Sequence, residues 1–325
     1  MKENARIIEY DYIKGILIFL VIWGHFIQFV GVEVNNPVHV WIYSFHMPLF
    51  IFISGFFSQK LYSRSFLSFI SKQIKHLILP NFIWATLALI ILVPIGIKSF
   101  VWNINSFISL YTDFWFLWTV FISSIIYYIC CKVYYKLRYV MAAIMAIFIY
   151  FFLIYSPPLA IRTLSLPFFI TMLPYMYPIY ILGILYKDYK EMVDKYFRVL
   201  MIVSTVGYIG LLCYVLLHHY SISNVRVSLR FSLYVTGCIF YFYSWLYVFK
   251  QLNLNVIKLE LIGRQTLGIY IIQHVIFYWI FERFSENISI SNPIIICLLA
   301  IAMTYICYYI VVKISKNRFH QFLLG

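Results

Sequence analysis

The chain is predicted to be all-α, a polytopic transmembrane helix bundle of about ten spans with both termini cytoplasmic. Three observations predict it. Apolar residues make up 64% of the 325 residues and charged ones 11%, against about 25% charged in an ordinary soluble domain. Ten stretches are apolar over the ~20 residues that a span needs. The segments between them alternate between rich and poor in Lys and Arg, as loops on two sides of a membrane do.

The spans fall near 12–31, 39–58, 78–97, 114–132, 139–156, 168–186, 198–218, 229–249, 263–281 and 293–312. The first follows a short polar lead, MKENARIIEY, with no small-residue cleavage site, so no cleavable signal is expected. The third, sixth and tenth open beside Pro80, Pro167 and Pro293, where a missing N–H does little harm. Pro48, Pro94, Pro174 and Pro178 fall inside spans, where kinks are tolerated. No internal repeat or low-complexity linker divides the chain, and residues 1–325 read as one domain.

Lys and Arg decide the orientation. Nineteen lie in the leading segment, the even-numbered loops and the tail; five (Lys98, Arg162, Arg226, Arg230 and Arg283) lie on the other side, and Lys14 is inside the first span. That asymmetry puts the richer side in the cytoplasm. The net charge of +14 is therefore spread through loops rather than gathered in a patch for nucleic acid. The 30 tyrosines and 31 phenylalanines suit interfacial belts and packing in lipid. All six cysteines sit in apolar stretches without CxxC spacing, as small hydrophobes rather than metal ligands or disulfides.

Against this apolar background the polar residues at membrane depth stand out, since each ionisable group there costs about 2.5–3.5 kcal/mol. Lys14 and His25 are eleven residues apart in the first span. Eleven residues make three turns plus about 20°, so both lie on one face, roughly 16 Å apart along the axis. Asp11 is one turn before Lys14, in reach of an i,i+3 ion pair. His46 enters the second span from the outside and reaches a depth similar to that of His25. Either histidine alone reads as a packing residue, and Lys14 alone as a snorkelling anchor. On a shared face and at a shared depth they read as an active-site wall. Ser54 and Ser58 either line the same cavity or bond back to their own helix. His274 lies in the ninth span beside Gln273, whereas His39, His76, His218, His219 and His320 read as interfacial or solvated. No carboxylate falls at mid-depth, which argues against a cation-coupled transporter.

The segments DYIKGILIFLVIWGHF and IYSFHMPLFIFISGFFS strongly resemble the integral-membrane acyltransferase family 3, and within it the fucose 4-O-acetylase-type sugar O-acetyltransferases. The hallmark is a basic residue, ten intervening residues and a histidine, here Lys14 to His25, with lysine where many members carry arginine. A second hallmark matches Phe45, His46, Met47, Pro48, Leu49, Phe50, Ser54, Gly55 and Phe56. Weaker matches are FWFL at 114–117 and GRQTLGIYIIQH at 263–274. In the latter, many members place histidine where this chain has Gln273. His274, one position on, is turned by about 100° and is left out of the expected site.

The resemblance implies an acyl donor such as cytoplasmic acetyl-CoA, with no permanently bound cofactor and no metal. It also implies a carbohydrate or lipid-linked glycan acceptor, such as O-antigen or capsular polysaccharide, at a bacterial cytoplasmic (inner) membrane. On that footing His25 is the expected general base, because imidazole titrates near the working pH. His46 orients His25, donates to the oxyanion or relays the proton. Lys14 is too far from His25 for the same bond-making event and is assigned to coenzyme A phosphates, with Asp11 orienting it and Arg64 assisting. Trp115, Ser54, Tyr270 and Gln273 are candidate substrate-binding residues. A rival reading, a transporter or flippase for a lipid-linked or amphipathic substrate, lacks inverted repeats and mid-depth carboxylates.

Overall fold

A computed structural model describes residues 8–96, 100–154, 167–251, 259–281, 290, 292–316 and 323–324. Among these residues the protein is all-helical, without a strand. Its α-helices are α1 (Ile8–Phe29), α2 (Pro37–Tyr43), α3 (His46–Phe57), α4 (Phe66–Gln73), α5 (Leu79–Leu87), α6 (Ile104–Thr112), α7 (Trp115–Val133) and α8 (Arg138–Ile154). After these come α9 (Phe168–Asp188), α10 (Lys190–Lys195), α11 (Phe197–Leu217), α12 (Val227–Gln251), α13 (Leu259–Arg264), α14 (Thr266–His274) and α15 (Pro293–Ser315). Lys2, Arg6, Lys98, Arg162, Lys258, Arg283, Arg318 and His320, all read above for charge or exposure, lie outside the described residues.

Among the described residues, nine helical runs are long and apolar enough to cross a membrane. Eight of them match expected spans to within a few residues at most ends. The third runs from Phe66 to Leu92 and so begins about twelve residues earlier than expected. Pro80 does not start it. A π-helical turn at Ile74–Ile78 immediately precedes α5, which carries Pro80 in its first turn. The wider turn accommodates a ring that would clash with an ordinary α-helical carbonyl. The expected ninth span, 263–281, is broken by a turn at Gln265. Its apolar part, Thr266–Phe281, is 16 residues long and shorter than a full span. A π-helical run, Val275–Phe281, forms its second half.

The chain divides into two compact units, one of residues 1–50 and 194–314, the other of residues 51–193 and 315–325. In the first, α1 packs against α2, α12, α13 and α14, and α11 against α12. Phe45 stacks on Tyr241 at 3.7 Å, and the Ser44 hydroxyl meets that of Tyr208 at 2.7 Å. On α11, Val199, Val203 and Val206 present an exposed apolar stripe at helical spacing, which suits a lipid-facing surface. In the second unit α7, α8 and α9 pack together. Gly55 lies against the Tyr180 carbonyl and Gly183 against that of Phe52, so closely that a Cβ on either would overlap it. Small residues permit this backbone approach in membrane helices. The Gln73 side chain donates to the Ser124 hydroxyl at 2.6 Å.

Candidate active site

α1 is one uninterrupted helix, so Lys14 and His25 share its face. The Lys14 ammonium lies 2.7 Å from an Asp11 carboxylate oxygen. Asp11 is buried, and its other oxygen lies 4.0 Å from Nε of Arg264. A carboxylate removed from water needs such compensation. Two glycines bring the second cation there. A Cβ on Gly263 would overlap the Asp11 carbonyl, and one on Gly15 would sit 2.6 Å from that of Leu259. α13 therefore crosses α1 at backbone contact. Arg264, read in the sequence as a topology charge, joins Lys14 and Asp11.

Beyond the turn at Gln265 the chain follows α1 toward its other end. Gln273 reaches His25, and Phe277 packs on Phe26 and Phe29. Nδ1 of His25 lies 2.8 Å from Oε1 of Gln273. Gln273 is fully buried, and its Nε2 donates to the Tyr270 carbonyl at 3.0 Å. The rings of Phe277 and Tyr278 stand nearly perpendicular to that of His25, at 5.7 and 5.0 Å. His25 is half-buried. His274, one residue beyond Gln273, is buried and stacks on Tyr278 at 4.5 Å. It is thus Gln273 that meets His25.

His46 owes its setting to a break in the second span. A continuous helix would press the Pro48 ring against the Ser44 carbonyl, and the helix breaks between α2 and α3. The Ile42 carbonyl then accepts from Nδ1 of His46 at 2.6 Å. Tyr43 touches both α1 and His46. Its ring lies 5.0 Å from that of His46, and it fills the space beside Gly24, where a Cβ would come within 2.8 Å of it. His39, expected at the interface, is instead buried and stacked on Tyr43 at 4.0 Å. His39, His46 and His274 all lie within electrostatic reach of His25. The hydroxyls of Tyr43 and Tyr278 both donate to Oε1 of Gln28 at 3.4 Å. Gln28 is exposed, one turn beyond His25 on α1. Gln28, Tyr43 and Tyr278 were not singled out from the sequence, since apolar periodicity carries no signal for residues that converge from separate segments.

The remaining expected site residues belong to the second unit. Arg64 is exposed, with Nη1 3.5 Å from the Ser68 hydroxyl, and its carbonyl accepts from Tyr128 at 3.0 Å. Trp115 opens α7 and meets the Phe168 ring edge-on at 5.3 Å. Ser54 is half-buried in α3, and Ser58 bonds back to the Gly55 carbonyl at 2.7 Å. Among the described residues, no three His, Cys, Asp or Glu side chains group as a metal site.

Comparison with known proteins adds a family. A model described as an acyltransferase domain, acyltransferase family 3, matches residues 7–312. The nodulation protein NolL of Mesorhizobium japonicum is 36% identical over 135 residues, 38% of this chain and 35% of that protein. NolL of Sinorhizobium fredii is 38% identical over 92 residues, 26% of this chain and 25% of that protein. The chain thus spans about a third or less of the length of these curated relatives. No solved structure matches.

Proposed function

The chain belongs to acyltransferase family 3 by a match covering residues 7–312, and from that premise we propose that it is a membrane O-acyltransferase. Its reaction moves an acetyl or similar acyl group from cytoplasmic acyl-CoA to a hydroxyl of a cell-surface carbohydrate. The acceptor class is O-antigen, capsular polysaccharide or a lipid-linked precursor, the fucose 4-O-acetylase type being the nearest pattern in its motifs. The site of action is the bacterial cytoplasmic membrane.

One observation carries the reading: His25 is bonded through Nδ1 and only half-buried, which leaves Nε2 for chemistry. Nε2 takes the proton of the acceptor hydroxyl as its oxygen attacks the thioester carbonyl. The tetrahedral intermediate then collapses, the C–S bond breaks, and the imidazolium returns the proton to the departing thiolate. His46 assists the proton or the oxyanion. Lys14, oriented by Asp11 beside Arg264, is assigned to coenzyme A phosphates. Gln28, Tyr43 and Tyr278 offer the amide and hydroxyl groups that hold a sugar beside His25.

The test is transfer of label from acetyl-CoA to polysaccharide in membranes that contain the protein. A positioned base contributes about 10²–10⁴-fold, so His25→Ala should lose at least about a hundredfold in rate at unchanged abundance. Normal acylation by that variant would refute the assignment.

A further inference from the structure

Resting on the role just given to His25, we infer that Gln273 is a positioning residue: it locks the His25 imidazole as the Nδ1–H tautomer, so that Nε2 is the proton acceptor. The argument starts from the amide. A glutamine side chain can be turned end for end, and its direction follows from its hydrogen bonds. Nε2 of Gln273 lies 3.0 Å from the Tyr270 carbonyl, which can only accept. The NH₂ group therefore faces Tyr270, and Oε1 faces His25 at 2.8 Å. The amide oxygen can only accept, so Nδ1 must donate. Because Gln273 is fully buried, water offers the amide no alternative partner. Losing either bond would strand a buried polar group, which costs about 1–3 kcal/mol.

His46 is held by the same device from another source, donating through Nδ1 to the Ile42 carbonyl at 2.6 Å. Both imidazoles thus keep Nε2 as the acceptor nitrogen. In each the orienting group is a neutral carbonyl. Gln273 therefore selects the tautomer without placing a full negative charge against the imidazolium that forms during transfer.

The experiment has a readout independent of turnover. The protein labelled with ¹⁵N-histidine is purified in detergent, and the His25 ring nitrogens are assigned by their loss in His25→Ala. Nδ1 should resonate as a protonated, pyrrole-type nitrogen and Nε2 as an unprotonated, pyridine-type one. Gln273→Met, which keeps the side-chain length and flexibility, should shift His25 toward a mixture of tautomers. Gln273→Glu, which retains an acceptor for Nδ1, should restore the Nδ1–H form. In the labelled-acetyl assay, Gln273→Met should lower kcat about tenfold, as expected for one lost hydrogen bond, with KM for acetyl-CoA unchanged. A wild-type His25 in the Nε2–H form, or one unaffected by Gln273→Met, overturns the inference. If His25→Ala transfers normally while the tautomer behaves as stated, the catalytic role of His25 fails and the positioning by Gln273 stands.

Discussion

Asp11 shows how residues at this site work in pairs rather than singly. Its buried carboxylate touches Lys14 at 2.7 Å and draws in Arg264 from a segment some 250 positions away. The arrangement orients the Lys14 ammonium at this end of α1. Lys14→Ala should therefore raise the acetyl-CoA concentration needed for half-maximal rate while leaving kcat at saturating donor near the parent value. Donor titration of membranes measures both, and an unchanged requirement would remove the phosphate-binding assignment. The alignment of Lys14 and His25 was legible in the sequence because it follows from helical arithmetic along one segment. The Asp11–Lys14 pair was legible for the same reason. Gln273 was singled out there as a substrate-binding candidate, but its bond to His25 was not legible, since it joins residues 248 positions apart. Arg264 was counted only as a charge, because its partner is set by how two helices cross.

Helices meet here through glycines, and that governs which substitutions the elements tolerate. Gly263 on α13 faces the backbone carbonyl of Asp11 with no room for a Cβ. A carbonyl cannot swing aside as a side chain can, so α13 would have to move off α1. Gly263→Val should destabilise the solubilised protein by more than the roughly 1–3 kcal/mol typical of overpacked side chains, and should also separate Arg264 from Asp11. Gly210 on α11 has nothing within 4 Å of a built Cβ. Gly210→Ala should accordingly hold or slightly raise the melting temperature, since alanine suits a helix interior better. Thermal unfolding in detergent distinguishes the two, and equal behaviour would contradict the crossing geometry. Span positions were readable from apolar length alone. The break before His46 and the π-helical turn before Pro80 were not, although their prolines were noticed. A proline announces a disturbance, but the surrounding packing decides whether the helix ends, breaks or widens.

For the whole molecule, the length of one apolar segment decides how the chain threads the bilayer. Nine described helices have full-span length, whereas Thr266–Phe281 has 16 residues, about 24 Å of α-helix against a hydrocarbon core of about 30 Å. If that segment does not cross, Arg283 moves to the cytoplasmic side, and Lys313, Lys316 and Arg318 move outside. The basic residues then divide 17 to 7 rather than 19 to 5, a weaker inside-positive asymmetry. Charge therefore favours a crossing. So does the packing within the first unit, where Gln273 and Phe277 accompany α1 from His25 to Phe29. A short crossing segment is accommodated by local thinning of the bilayer at a fraction of a kcal/mol per Å, and the crossing keeps two lysines and an arginine on the inside. The expected outcome is a C-terminus in the cytoplasm with the N-terminus. Alkaline phosphatase fused after Gly325 should be inactive, and a green fluorescent protein fused there should fluoresce. An active phosphatase would mean that Thr266–Phe281 lies within one leaflet and that the orientation read from charge is wrong beyond α12.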